Sequence, residues 1–233
     1  MKTPVHHKAR ALIVETWQSQ ANLSLFLVML VVTVFVLPSL EVKRDRIQLF
    51  ADLVYSVVLI SGIAIAWGRQ RLFVTAAVIT APALVMRWVT WIAPGVRIEI
   101  WSEALSLVSA VAIGYVLLAQ VFREGPINAM RVQGAVAAYL LLGVAYAYAY
   151  QLDSRFNPAA VESTVGKVTT LLDWIYYSFC TLSTLGYGDI VPTSRLSRSL
   201  AIGEAVTGQM YLAILIARLV AMEVSGKTGR DAE

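Results

Sequence analysis

The sequence predicts an all-α integral membrane fold: six transmembrane helices, with a short re-entrant helix and an irregular loop between the fifth and the sixth. Three observations carry this. The 233 residues are 58% hydrophobic and only 15% charged, with a mean hydropathy of +0.68, which leaves too little polar material to cover a soluble domain of this size. Six apolar stretches reach the roughly 20 residues that a helix needs to cross a hydrocarbon core of ~30 Å. A seventh run is amphipathic and too short to span, and it leads into a glycine-punctuated segment that no ordinary helix accommodates.

The six spans are predicted over 20–37, 48–67, 72–93, 100–122, 132–151 and 198–222. The breaks suit helix ends: Pro38 follows the first span, Gly68-Arg69-Gln70-Arg71 closes the second, Pro94-Gly95 ends the third and Gly125-Pro126 ends the fourth. Lys2, Lys8 and Arg10 precede the first span as they would a secretory signal. No small-residue cleavage site stands before Glu41-Val42-Lys43-Arg44-Asp45-Arg46, so the span is expected to be retained. A polar loop from Asp153 to Thr170 leads to the short helix over 171–182. The expected organisation is a cytoplasmic N-terminus (1–19), a four-helix transmembrane region (20–122), a second unit (123–222) and a disordered cytoplasmic tail (223–233).

A net charge of +4, spread in short basic clusters between apolar runs, argues against a nucleic-acid partner. The single cysteine, Cys180, excludes an intrachain disulfide and a cysteine metal site. It is expected to pack as a small hydrophobe rather than serve in redox chemistry. A transporter or membrane enzyme would need ionisable clusters within the spans, and no catalytic set or cofactor site is legible.

The chemistry concentrates between Ser183 and Asp189. Gly186 and Gly188 let the backbone take conformations closed to other residues, so successive carbonyl oxygens can point the same way. Strands of that kind around an axis stack rings of oxygens that can replace the hydration shell of a potassium ion. Thr184-Leu185-Gly186-Tyr187-Gly188-Asp189 resembles the selectivity filter of the potassium-channel family, which reads Thr-Val/Ile/Leu-Gly-Tyr-Gly-Asp. The resemblance extends back through Asp173-Trp174-Ile175-Tyr176-Tyr177-Ser178-Phe179-Cys180-Thr181-Leu182 and forward through Ile190-Val191-Pro192.

That resemblance implies K+ bound by the backbone oxygens of Thr184, Leu185, Gly186 and Tyr187, with the Thr184 hydroxyl completing the innermost site. Gly188 completes the loop, and the Tyr187 ring packs outward against the pore helix over 171–182. Asp189, Tyr176, Tyr177 and Cys180 are the expected support behind it. It also implies an outer helix at 132–151, an inner helix at 198–222 and a homotetramer in the bilayer, with K+ as permeant ion rather than cofactor. Two departures stand out. Cys180 occupies the position where some members have a carboxylate that pairs with the aspartate after the filter, and Tyr176 occupies one where many have tryptophan. Both bear on slow inactivation rather than on selectivity.

Arg195 and Arg198 precede the last span. Gly208 falls where many members have a hinge glycine, and a glycine inside a helix lowers its stability by about 1 kcal/mol relative to alanine. The same residue could equally be a small one for close packing, the reading preferred for Gly203. Glu204 is an ionisable group inside a span, expensive unless paired or wetted, and is expected to face polar groups behind the filter. Thr207, Tyr211 and Ile214 are the candidates for the cavity wall.

Four leading spans invite a voltage-sensor reading, which needs mobile charge worth about 2.3 kcal/mol per elementary charge per 100 mV. The span over 100–122 has no lysine or arginine, and its one internal charge is Glu103. Conventional voltage gating is therefore not expected. Asp52, Arg87 and Glu103 fall near one depth, so Arg87 is expected to pair with Asp52 or with Glu103, or else each snorkels to the interface. A filter entered from outside puts both termini in the cytoplasm of a multi-pass plasma (inner) membrane protein. The basic residues at 69, 71, 123 and 131 agree, and Lys43, Arg44 and Arg46 argue the other way. His6 and His7 are expected to be inert. The function expected is passive, potassium-selective conduction by a tetrameric pore. The alternatives are a non-selective cation channel or a regulatory subunit of a heteromeric one.

Overall fold

In a computed structural model, residues 21–40, 44–65, 70–122, 128–164 and 166–230 are described. The expected N-terminus over 1–19, with His6 and His7, lies outside them. Six of the described helices are long and apolar enough to cross a bilayer, and the fold is all-α apart from one small two-stranded ribbon.

Helix α1 (Ala21–Ser39) ends in a π-turn over Val32–Val36 and a 3₁₀ turn over Leu37–Ser39. Pro38 was expected beyond the helix and instead sits in the opening of that final turn, where a missing N–H costs nothing. Helix α2 (Arg44–Ile65) begins four residues before 48, while 66 and 67 fall outside the described residues. Helix α3 (Gln70–Ile92) contains Pro82. Helix α4 (Val96–Val121) opens ahead of the expected 100, because Gly95 is already extended and Glu99 in the first turn suits the positive end of the helix dipole.

Helix α5 (Ala129–Phe156) exceeds the expected 132–151 at both ends. The Asn128 side chain caps it by accepting from the Arg131 N–H at 3.0 Å. At the other end the polar run Gln151 to Arg155 stays helical, since Ser154 returns its hydroxyl to the Gln151 carbonyl at 2.6 Å and Arg155 finds partners on α4. Helix α6 (Leu171–Leu182) has the expected bounds. Helix α7 (Arg195–Arg230) starts three residues before 198, with the Ser194 hydroxyl accepting from the Ser197 N–H at 3.0 Å. It runs past 222, so the tail expected to be disordered is helical up to Arg230. No proline interrupts it, and each added residue gains a hydrogen bond.

The loop between α5 and α6 holds an element that the sequence reading missed. Strand β1 (Val161–Ser163) pairs antiparallel with β2 (Ile190–Pro192), with Val161 opposite Pro192 and Ser163 opposite Ile190. The β-branched Val161, Ile190 and Val191 suit this pleat.

Helix α5 is the hub, packing against α4, α6 and α7. Its Tyr148 turns to the leading helices, its rings stacking obliquely with Tyr55 at 5.3 Å. Tyr150, two residues on and so on the opposite face, meets Trp174 at 6.4 Å and Tyr177 at 4.8 Å. Gly143 admits α6: a Cβ there would lie 2.6 Å from the Phe179 ring. Phe35 of α1 reaches the same ring at 6.5 Å, so three helices meet at Phe179. Helix α7, by contrast, leaves Ile202, Val206 and Met210 exposed in the single chain. At its far end Arg218 donates to the Phe122 carbonyl at the close of α4, with its guanidinium 4.8 Å over the Phe122 ring.

Candidate functional site

The site starts with the helix that aims it. A capping box opens α6: the Thr170 hydroxyl accepts from the Asp173 N–H at 3.3 Å, and the Asp173 carboxylate accepts from the Thr170 N–H at 2.8 Å. The apolar side of α6 buries Trp174, Ile175 and Leu182 against α5 and α7. Its C-terminal carbonyls face the loop: Cys180 O accepts from Leu185 N at 2.8 Å and from Gly186 N at 3.2 Å, and Thr181 O accepts from Thr184 N at 3.0 Å.

Left-handed backbone then recurs at every second position, with φ of +59° at Thr184, +57° at Gly186 and +79° at Gly188. An ordinary extended strand points successive carbonyls in opposite directions. Alternating the hand turns the peptide planes to one side, and glycine is the residue that allows it without a steric penalty. Thr184 takes it despite its β-branch, a strain that marks functional loops. Among the described residues, the carbonyl oxygens of Thr184, Leu185, Gly186 and Tyr187 accept no hydrogen bond. The N–H groups of Thr184, Leu185 and Gly186 are used behind it, and its oxygens remain free for a cation.

Asp189 closes the loop. Its carboxylate accepts from the Tyr176 hydroxyl at 2.6 Å, and its carbonyl accepts from Thr164 N at 2.9 Å at the edge of the ribbon. Cys180 has no carboxylate to pair with Asp189, and Tyr176 anchors Asp189 instead. Cys180 is half-buried and is not disulfide-bonded. The Tyr177 hydroxyl is buried without a hydrogen-bond partner among the described residues. The Tyr187 ring is 67% exposed, left largely uncovered by its own chain.

Behind the loop, α7 crosses the end of α6 at Gly208. A Cβ there would lie 2.6 Å from the Leu182 carbonyl oxygen and 2.8 Å from Leu182 Cδ1. That contact makes Gly208 a packing glycine, and α7 is helical straight through it. Gly208→Ala is therefore expected to destabilise by about 1–3 kcal/mol through overpacking. A glycine serving only as a hinge would instead gain about 1 kcal/mol from the same change. Thermal unfolding in detergent reads the sign. At Gly203 the nearest atom to an added Cβ is the Tyr146 hydroxyl at 3.6 Å, an ordinary contact, so the packing role expected there is not required.

Of the three cavity-wall candidates, Thr207 and Ile214 are exposed in the single chain. Tyr211 is not free to line a cavity. Its hydroxyl donates to the Ala135 carbonyl at 2.7 Å and its ring lies 5.7 Å from Tyr139, both on α5, because the helix turns it toward its own outer helix. Glu204 is fully buried behind the loop, bonded to Tyr150 of α5 and Ser178 of α6.

The expected trio Asp52, Arg87 and Glu103 is held in ion pairs. Arg87 bridges to Asp52, donates to the Tyr148 hydroxyl and lies 4.4 Å over the Tyr55 ring. The other open alternative, Arg87 with Glu103, is not what forms: Glu103 pairs with Arg155 at 2.6 Å, and Glu99 joins at 2.8 Å. Arg155 was overlooked because it lies beyond the expected end of the outer helix. Its spacing from Gln151, one helical turn, was the signal available. Tyr148, Tyr150, Ser178, Thr164 and Arg218 were also missed, since each acts through a partner distant in sequence.

Residues 135–224 match a family model described as an ion channel. The chain is 27% identical over 124 residues to Protein LctB of Bacillus caldotenax, covering 50% of this chain and 92% of that one. It is 34% identical over 65 residues to Protein LctB of Geobacillus stearothermophilus, covering 28% and 48%. It is 41% identical over 61 residues to Two-pore potassium channel 4 of Arabidopsis thaliana, covering 26% and 22%.

Proposed function

We propose that the chain, whose residues 135–224 match a family model described as an ion channel, is one subunit of a potassium-selective channel that conducts K+ passively through a four-copy pore. The observation that carries this reading is the alternation of left-handed residues at Thr184, Gly186 and Gly188, with the neighbouring N–H groups tied back to α6. Carbonyl dipoles presented in series exchange for the water around a dehydrated cation. The negative end of the α6 dipole adds to the attraction for positive charge.

One loop supplies one wall of such a path, so four chains are required to close it. The exposed apolar residues of α7 and the uncovered Tyr187 ring support assembly around that axis. Passive conduction asks for no catalytic group and no cofactor. The filter faces outward, both termini lie in the cytoplasm, and the membrane is the plasma membrane. Arg87 is locked to a carboxylate and the span over 100–122 carries no lysine or arginine, so opening does not rest on conventional voltage sensing.

The test is cation flux from liposomes holding the purified protein. Potassium is expected to pass and sodium to be largely excluded. Equal permeability would replace this reading with a non-selective cation pore, and absent flux would leave a regulatory subunit.

A further inference from the structure

Where α5, α6 and α7 meet behind the loop, Glu204 is completely buried. Its Oε2 accepts from the Tyr150 hydroxyl at 2.7 Å, and its Oε1 lies 2.5 Å from Ser178 Oγ. The same Ser178 Oγ lies 2.7 Å from the Gly143 carbonyl oxygen. The titratable groups around the carboxyl are tyrosines: Tyr139, Tyr146 and Tyr150 from α5, and Tyr177 from α6. Among the described residues no lysine, arginine or histidine bonds to it.

Burial decides the state of this cluster. The Gly143 carbonyl lies inside α5 and keeps its helical N–H partner, so the Ser178 contact to it is a supplementary one. If Glu204 were ionised, it would be a completely buried charge met by two neutral hydroxyls and, among the described residues, by no bonded cation, a costly arrangement for a carboxylate. A neutral carboxyl completes the chain. Glu204 donates to Ser178, Ser178 donates to Gly143, and Tyr150 donates to the second Glu204 oxygen.

We infer that Glu204 is a positioning residue held as a neutral carboxylic acid, which bolts the pore helix to the inner and outer helices and loosens the conducting loop when it ionises. Ser178 stands two residues before Cys180, whose carbonyl holds Leu185 and Gly186, so a shift of α6 is a shift of the loop. Raising the pH removes the proton that completes the bonding chain, and conduction falls on the alkaline side. Below that range the neutral acid persists and conduction is steady. The inference rests on the channel reading for its functional consequence, but not for the protonation state.

Two measurements test it. Infrared difference spectroscopy of the protein in lipid at neutral pH should show the carbonyl stretch of a protonated carboxyl that disappears in Glu204→Gln. Potassium flux should fall about tenfold in the intact protein as the solution turns alkaline and stay level in Glu204→Gln, whose neutral amide can still donate to Ser178 and accept from Tyr150. Glu204→Ala should lose about tenfold at every pH, since it leaves the buried Tyr150 hydroxyl without its acceptor and cuts the tie between Ser178 and α7. A neutral-pH spectrum with no Glu204-dependent band, or a Glu204→Gln variant with the same alkaline fall, overturns the inference. If the intact protein carried no flux at neutral pH, the channel reading would fail by itself, and the infrared band would still decide the state of Glu204.

Discussion

Alanine at Gly186 is expected to abolish potassium flux while the protein still reaches the membrane. The position has φ of +57°, and a Cβ there would meet nothing within 4 Å in its own chain, so the penalty is conformational rather than steric. Holding an L-residue in that region costs about 1–2 kcal/mol. In the proposed four-copy pore this becomes roughly 4–8 kcal/mol. The loop relieves it by rotating the peptide plane, which turns a ring of carbonyl oxygens away from the path. Gly166, with φ of +123° and open surroundings in the α5–α6 connection, provides the control. Gly166→Ala carries comparable backbone strain outside the loop and should leave selectivity intact. Unchanged, selective flux in Gly186→Ala would overturn the pore assignment.

The second large effect falls on stability. Asp52→Ala leaves the Arg87 guanidinium buried among Ser106, Tyr148 and Tyr55 without its carboxylate. Removing one partner of a buried pair costs about 3–5 kcal/mol. The pair borders a polar cavity of about 430 Å³ with Thr90, Trp91 and Gln151, so water tempers the loss toward the lower end. Trp91 also loses the carboxylate oxygen that its indole N–H reaches at 2.8 Å. A melting experiment in detergent should show this drop, and Asp52→Ala combined with Arg87→Leu should recover most of it. A single variant as stable as the parent would mean that both side chains reach water independently.

The spans and the α6 helix were legible because their signals are local. Apolar length marks a span, and Thr170 with Asp173 marks where α6 begins. The glycine alternation of the loop after α6 was legible because Gly186 and Gly188 are written in the chain, and its reading as a filter came from the resemblance of the run from Thr184 to Asp189 to the potassium-channel family. Helix ends that depend on partners were not. Gln151-Leu152-Asp153-Ser154-Arg155 reads as the start of a polar loop until Glu99 and Glu103 are seen to hold Arg155 in helix. The ribbon was hidden for a similar reason: Val161 and Ile190 stand 29 positions apart, and three residues on each side are too few to carry a period. The direction of Tyr211 was hidden too, because it depends on the phase of α7 and on which neighbour covers that face.

The placing of α4 has a mechanical side. Its 26 residues rise about 39 Å, more than a hydrocarbon core of ~30 Å, so the helix must lean to keep its ends wet. One end is moored to α5 through Glu99, Glu103 and Arg155, and the other to α7 through Phe122 and Arg218. Arg155 on α5 and Arg218 on α7 both lie within residues 135–224, so a change in the lean of α4 bears on the contacts it makes with each of them. A thicker bilayer favours the upright setting and a thinner one the inclined setting, at a cost of fractions of a kcal/mol per Å of mismatch. The helix that must lean is thus the one tied at both ends to residues 135–224, the stretch that matches an ion channel model.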